Sequence, residues 1–412
     1  MGSARDVVIT GLGVISPIGF SVSELLLSLR TNRSGIGLWE SPLLSKQLPA
    51  GLIEKDFAGE FTKLELPYLD RCSQIAVLAA RQATADAGME QFAHYGQRAG
   101  VFFGTVCGGV KTEHDWVQQF YVEHKQQSKP YTLMASMLNA APAQISIRHQ
   151  ILGPVMTHSS ACTSSGAAIG DAFRAIRHGH LDIALAGGAE AALTPAFMAS
   201  WCGLRALAEA DLGDVGQSCR PFSKNRTGLV LSEGAVFMVL ESREQAERRG
   251  VSCYCALTGY GIASDGYHIG SPKAEGQVAA LRAALADAAL QPAEIGYMNA
   301  HATATPGGDP VEVAAINSVF SHVPVSSTKA IHGHLLGAAS ALELAVTLLA
   351  INKAFLPATA HLDEIDPTCA LNHVANVPVL DHPVRHALSL SAGFGGTNIA
   401  LVVSAEPELP NK

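Results

Sequence analysis

Short apolar runs of strand length alternate along this chain with Ala-rich stretches of helical length, and no other feature narrows the fold as much. Residues 6–16 (DVVITGLGVIS) read as a buried strand ending in a glycine-containing turn, residues 73–87 carry the 3.6-residue period of a helix, and residues 99–104 read as a second strand. Polar, Gln-rich residues 112–130 precede a helical stretch over 135–150 and a short strand at 155–160. Ile169, Phe173 and Ile176 then share a helical face to about His178, followed by strands at 182–186 and 234–241 and a charged helix at 243–249. A second series starts near Val251: a strand at 253–262, a helix over 276–289, a strand at 296–300 and a helix after Pro310. A long apolar helix follows residues 329–337, and strands at 387–391 and 398–403 close the chain. The order predicts an α/β protein with close helix–sheet packing, in two halves, 1–250 and 251–412. Gly166-Ala167-Ala168 and Gly337-Ala338-Ala339 open the central helix of each half alike. This fits two similar halves, although three residues of Ala-rich sequence also coincide by chance.

Composition excludes several function classes. With 48% hydrophobic and 16% charged residues, 412 residues can bury a large core, which rules out the disordered class. A net charge of −8 without a dense Lys/Arg cluster argues against nucleic-acid binding. The most apolar stretch, 335–349, is too short to span a bilayer and carries Glu343, so it reads as a buried core helix and no membrane insertion is expected. Met1-Gly2-Ser3-Ala4 runs straight into a strand without a charged-then-apolar signal segment, and a cytoplasmic protein is expected. None of the eight cysteines forms a C-x-x-C pair, so free thiols are predicted.

Four segments carry residues suited to chemistry. Cys162 falls where a strand gives way to a helix, and the helix N-terminus there is expected to lower its thiol pKa. A nucleophile and an inert cysteine beside a packed turn both fit that local pattern. His301 lies just past a strand end, in NAHATATP with Asp309 and Glu312 beyond, and strand ends in α/β folds face the ligand crevice. His334 follows Lys329 in STKAIHGH; the His332-x-His334 pair hints at a metal, but no nearby carboxylate or Cys completes a ligand shell, and no metal is expected. Gly393-Phe394-Gly395-Gly396-Thr397-Asn398 is a turn between two strands, lacks the helix start of a phosphate cradle, and fits close approach of backbone to a ligand.

Together these segments resemble the elongating β-ketoacyl-acyl-carrier-protein synthases of the thiolase superfamily. The resemblance runs in the family's order through VVITGLGVISPIG at Val7, ACTSSGAA at Ala161, AGGAEA at Ala186, RPFSKNRTGLVLSEGA at Arg220, NAHATATPGGDPVE at Asn299, STKAIHGHLLGAA at Ser327 and GFGGTN at Gly393. The Cys-His-His set separates the chain from initiating ketosynthases, which use Cys-His-Asn, and from thiolases, which carry a second Cys near the C-terminus. The resemblance implies a five-layered αβαβα sandwich of two similar halves. It also implies decarboxylative Claisen condensation of an acyl chain on Cys162 with malonyl-acyl carrier protein. The pathway would be fatty acid or type II polyketide/polyene biosynthesis.

By the same resemblance, the backbone N–H groups of Cys162 and Phe394 form an oxyanion hole, His301 and His334 hydrogen-bond the malonyl thioester, and Lys329 pairs with Glu312 behind them. Thr303 and Thr305 hold the phosphopantetheine arm, Phe394 gates the acyl pocket, and Asp265 and His268 lie on a second loop that moves with it. Asp309 is a supporting residue of the same motif. No metal or dissociable cofactor is implied, since the substrates ride on acyl carrier protein. Arg205 matches a carrier-docking position, whereas Pro67 and Tyr68 stand where basic residues are common, which leaves Lys63, Arg71 or a different carrier to make the contact. Cys107 replaces a branched apolar residue of the acyl pocket, so a longer or stiffer acyl chain is expected. The partner protomer would be a second copy or a chain-length-factor-like subunit. The competing reading is a non-catalytic subunit of the latter kind, which typically lacks the nucleophilic Cys.

Overall fold

The computed structural model describes residues 4–89, 91–406 and 412. The first half runs β1 (Val7–Ile15), α1 (Val22–Thr31), β2 (Ile36–Trp39), β3 (Leu48–Gly51), α2 (Arg71–Asp86), β4 (Ala99–Gly104), α3 (Val110–Tyr121), α4 (Thr132–Ser136), α5 (Ala140–His149), β5 (Val155–His158), α6 (Ser164–Arg177), β6 (Ile183–Glu190), α7 (Pro195–Leu204), β7 (Leu231–Ser232), β8 (Gly234–Ser242) and α8 (Arg243–Arg249). The second continues β9 (Cys255–Ser264), α9 (Ala274–Asp287), β10 (Tyr297–Asn299), α10 (Gly308–Val319), β11 (Pro324–Ser326), α11 (Lys329–His332), α12 (Ala339–Asn352), β12 (Asn372–His373), β13 (His386–Ala392) and β14 (Thr397–Ser404).

Strand pairing makes the internal repeat explicit. The first half has the order β5-β4-β6-β8-β1 and the second β11-β10-β13-β14-β9, with β12 added outside β11. Corresponding pairs agree in direction. β1–β8, β8–β6, β9–β14 and β14–β13 are antiparallel, and β6–β4, β4–β5, β13–β10 and β10–β11 are parallel. The half-sheets meet where β1 pairs with β9, Val8 opposite Ala256. Helices α6 and α12 each touch strands of both half-sheets, while α2 and α5 cover the outer face of one and α9, backed by α10, that of the other. That is the five-layered αβαβα sandwich. A small sheet, β2-β3-β7, stands beside it.

Helix α12 is buried from Ala339 to Ile351, as a helix apolar on all sides must be. Its few polar side chains, Ser340, Glu343 and Thr347, therefore need partners inside the protein. No helix among the described residues is long and apolar enough to cross a membrane. One local expectation changes: the helical stretch expected over 135–150 breaks at Met137, whose extended backbone separates α4 from α5. The polar stretch 112–130, given no element in the sequence, lies in helix α3 as far as Tyr121.

Candidate active site

The N-terminal ends of α6 and α12 converge in the middle layer. Cys162 lies on the turn from β5 into α6. Ala161 before it adopts φ +54°, a conformation that a residue with a Cβ rarely takes. Side chains close the turn: Ser164 Oγ donates to Ala161 O (2.6 Å), Thr163 Oγ1 donates to Ser160 O (2.7 Å), and Ser160 N–H donates to Ser164 Oγ (2.9 Å). The helix begins at Ser164 with Thr163 as its cap, so Cys162 stands just outside the first turn. Burial pushes its thiol up to about 11, against the opposing pull of the Lys329 charge and of the Phe394 and Cys162 N–H groups. The lowered pKa expected from the helix end is thus reversed, because desolvation of the thiolate outweighs these attractions. Both peptide N–H groups named for the oxyanion hole do lie against the sulfur.

His301 follows β10, and its backbone N–H donates to Glu312 Oε1 (2.6 Å). Its Nδ1 faces Lys329 Nζ at 3.5 Å. Since the ammonium can only donate, Nδ1 is the accepting nitrogen and the ring proton sits on Nε2. The ion pair expected between Lys329 and Glu312 is not formed: Lys329 pairs with Glu343 of α12. The geometry explains the exchange, because Glu312 is engaged by the His301 peptide while Glu343 is the buried carboxylate opposite Nζ. Burial pushes Glu312 up to about 8 and Glu343 to about 7, the latter against the pull of Lys329. Desolvation, then the Lys329 charge, holds both His301 and His334 well below the usual imidazole range, so both are neutral.

His334 is clamped through its backbone. Its N–H donates to Val230 O (2.7 Å) and its carbonyl accepts from Ser232 N–H (2.9 Å), so the short strand β7 fixes its position. The ring is 2% exposed, stands edge-on to His301 at 5.3 Å, and has neither nitrogen hydrogen-bonded. Cys162 Sγ and one ring nitrogen of each histidine lie within 4.8 Å of one another. His332 takes no part, since its nitrogens contact Gly333 O (2.6 Å) and Thr328 Oγ1 (3.0 Å). A hydroxyl chain links the cluster to the nucleophile: Ser391 Oγ reaches Glu343 Oε2 (3.5 Å), and Ser340 Oγ lies 2.9 Å from Ser391 Oγ and 3.1 Å from Cys162 O.

The glycine-rich turn joins β13 to β14. Gly395 and Gly396 have φ +87° and +82°, which only glycine adopts without strain. Phe394 is 43% exposed and stacks on Trp201 of α7, ring centres 5.7 Å apart. Two backbone bonds tie this turn to the loop after β9: Gly395 N–H to Ile269 O and Asp265 N–H to Gly396 O, each 2.8 Å. Asp265 Oδ1 also accepts from Asn398 Nδ2 (2.7 Å). His268 lies exposed on that loop, its Nδ1 accepting from Gly270 N–H (3.1 Å), away from the Cys-His-His cluster.

Thr303 and Thr305 are brought side by side by Ala304 at φ +67°, with hydroxyls 3.2 Å apart. Asp309 braces that loop by accepting from Phe222 N–H (2.9 Å) and facing Arg226 (3.9 Å), and burial pushes its carboxyl up to about 6. Cys107 packs in an apolar cluster with Trp201, Met198 and Leu231, and burial pushes its thiol up to about 12, so it acts as a small neutral side chain. Arg205 is exposed at the end of α7 and has no ion-pair partner among the described residues. Arg71 is unavailable for docking, being paired with Glu233 (2.8 Å), whereas Lys63 borders a surface cleft with Trp116 and Lys129.

Several residues escaped the sequence reading. Glu343 counted there only as a charge that argues against a membrane span, yet one acidic residue in an otherwise apolar helix already calls for a buried cation. Glu190 ties the loop of Val106 and Cys107 to Gly337 by accepting from all three N–H groups (2.7, 3.0 and 3.1 Å), and burial pushes it up to about 7. Trp201, Ser340 and Ser391 carry no local signal.

Comparison with known proteins agrees with this geometry. Residues 4–246 match the beta-ketoacyl synthase N-terminal domain and residues 254–363 the beta-ketoacyl synthase C-terminal domain. The chain is 35% identical over 411 residues to 3-oxoacyl-[acyl-carrier-protein] synthase 2 of Staphylococcus aureus, covering 98% of this chain and 99% of the relative. It is 36% identical over 407 residues to nodulation protein E of Rhizobium meliloti, with 96% and 98% covered. Among solved structures, the ishigamide ketosynthase/chain length factor superposes with TM-score 0.90 at 32% identity, over 98% of this chain and 100% of the other. A type II polyketide ketosynthase in complex with its acyl-carrier protein gives 0.89 at 27% identity, over 98% and 100%.

Proposed function

The chain belongs to the β-ketoacyl synthase family, and from that premise we propose that it is an elongating β-ketoacyl-acyl-carrier-protein synthase working through an acyl-Cys162 intermediate. The observation that carries the reading is the placement of one thiol beside two neutral, buried imidazoles, one of them with its tautomer set by Lys329. In the first half-reaction the thiol sulfur attacks the acyl thioester. The S–acyl bond to Cys162 forms, the bond to the phosphopantetheine sulfur breaks, and the thiol proton goes to the departing thiolate. His334, whose nitrogens have no other partner, can relay it. In the second, malonyl thioester loses CO₂, and its carbonyl oxygen gains enolate charge within reach of the His301 Nε2–H and a His334 N–H. The enolate carbon then attacks the acyl carbon, and the Cys162 and Phe394 N–H groups receive the tetrahedral oxyanion before the Cys162 thiolate leaves and regains a proton. One such preorganised donor contributes about 10²–10³ in rate.

The supporting parts follow the same logic. Glu343 pairs with Lys329 and holds it aimed at His301 Nδ1, which leaves the Nε2–H as the donor toward substrate. The paired Thr303 and Thr305 hydroxyls suit the amides of a phosphopantetheine arm, and Arg205 with Lys63 offers an acidic carrier protein local positive charge. The reaction so written uses no metal or dissociable cofactor, and a cytoplasmic location belongs to the same proposal. The partner protomer is a second copy or a chain-length-factor-like subunit. A subunit without chemistry would have no need of Cys162, His301, His334 and Lys329 together, which argues against the non-catalytic reading. Relatives within one percentage point of each other in identity include a 3-oxoacyl-[acyl-carrier-protein] synthase and a nodulation protein, so the acyl chain must be read from the enzyme itself.

The test is the intact mass of the protein after exposure to a panel of acyl-acyl carrier protein thioesters. An adduct on the wild type that disappears in Cys162→Ala is expected, and its mass names the acyl class. An adduct that persists in Cys162→Ala overturns the assignment. Cys107→Ile, measured on the same panel, should shift the preference to shorter chains.

A further inference from the structure

The same three side chains form a ligand set. Cys162 Sγ and one ring nitrogen each of His301 and His334 lie within 4.8 Å of one another, and all three residues are buried. Tetrahedral zinc, with bonds of about 2.0–2.1 Å to nitrogen and 2.3 Å to sulfur, holds such atoms about 3.3–3.6 Å apart, so the cluster closes on an ion through shifts on the order of 1 Å. His334 adds an independent observation. Its ring is 2% exposed with both nitrogens unbonded, a state that buried polar groups seldom keep without a ligand. One thiolate and two imidazoles select a borderline-soft ion over calcium or magnesium, which take oxygen ligands.

We propose that this cluster binds a zinc ion through Cys162, His301 and His334, with the fourth position open to water or a thiol, and that the bound ion excludes an acyl group from Cys162. On binding, the thiol proton is released to buffer as the S–Zn bond forms, and nothing is oxidised or reduced. The binding stands on geometry alone; its competition with acylation rests on the acyl-transfer reading. Lys329 is the element that works against the ion. Its ammonium sits 3.5 Å from His301 Nδ1 and repels a second cation, and by donating to Nδ1 it leaves neither ring nitrogen of His301 free to bind the ion, one being engaged and the other protonated. Lys329 therefore keeps the nucleophile available as well as orienting His301.

Zinc chloride titrated into the full-length protein tests this, read by equilibrium dialysis and by protection of Cys162 from iodoacetamide in intact-mass spectra. One ion per chain is expected, with affinity rising with pH because the thiol must give up its proton to bind the ion. Binding should be at least about 100-fold weaker in Cys162→Ser and in His334→Ala, beyond what an outer-shell partner costs, and tighter in Lys329→Met. Cobalt in place of zinc should give a thiolate-to-metal charge-transfer band that Cys162→Ser lacks, which keeps the question decidable if His334→Ala fails to fold. Uptake unchanged in both ligand variants, or Cys162 alkylated at its metal-free rate under saturating zinc, overturns the proposal. Neither readout involves acyl transfer, so such a failure leaves the condensing-enzyme reading untouched.

Discussion

Cys162 and His334 occupy matching places, each just ahead of the central helix of its half, yet the two turns are held in different ways. Around Cys162 most restraints are local: Ala161 takes a left-handed conformation, Ser160, Thr163 and Ser164 bond within a span of five residues, and Ser340 Oγ of α12 adds one remote bond to Cys162 O. Around His334 they are remote, since Val230 and Ser232 clamp its backbone from more than a hundred positions earlier. The charge behind the neighbouring His301 comes from Lys329, held by Glu343 of the following helix. One strand order, repeated, thus supports a nucleophile aimed mostly by its own five-residue turn and imidazoles that only the assembled fold can aim.

The sharpest test of that division removes the nucleophile alone. Cys162→Ala should lower condensation about 10⁴–10⁶-fold, the scale seen when a covalent nucleophile is deleted, and leave the urea unfolding midpoint near that of the wild type, because the thiol's one remote hydrogen-bond contact is with the Phe394 N–H and the bonds that close the turn are kept. A matching fall in stability would show that Cys162 also holds the halves together. Glu343→Gln probes the other side. It strips the counter-charge from a fully buried Lys329, and breaking such a pair costs about 3–5 kcal/mol. Urea unfolding should show that loss; a change under about 1 kcal/mol would mean that the pair behaves like an exposed one.

Glu312 separates the two regions by pH. Its folded pKa, about 8, lies above that of the unfolded chain, so the wild type binds a proton in the native state that it releases on unfolding. The contribution of this group to stability is greatest below the unfolded carboxyl pKa and is lost as pH rises towards 8. Gln mimics the neutral acid and still accepts from the His301 N–H. Glu312→Gln should therefore gain on the wild type between pH 5 and 8, by at most about 1.4 kcal/mol per pH unit. Paired unfolding curves across that range check it, and parallel pH profiles would refute it.

This contrast also explains what could be read from the sequence. The strand and helix series and the Cys162 junction were legible because period and turn chemistry are local, whereas the αβαβα class was legible only through the family resemblance. His301, His334 and the glycine turn became legible as a set through their order along the chain. The partner of Lys329 was not, because Glu312 lies in the neighbouring motif while Glu343 is brought opposite by helix packing alone. The direction of the Cys162 pKa failed for a related reason: a helix end is visible in sequence, but the depth at which the fold buries it is not.

The smallest expected effect concerns Ala161 itself. At φ +54° an L residue is less favourable than glycine by about 1–2 kcal/mol, while glycine costs about 0.5–1 kcal/mol more entropy on folding. Ala161→Gly should accordingly raise stability by about 0.5–1 kcal/mol. If the three side-chain bonds around it suffice to aim the sulfur, the rate of Cys162 alkylation by iodoacetamide should not change. Ala161→Val, with a branched Cβ in the same conformation, should destabilise by more than glycine gains. A glycine variant that is more stable but alkylates more slowly would show that the Cβ of Ala161, and not only its neighbours' hydroxyls, sets the position of the nucleophile.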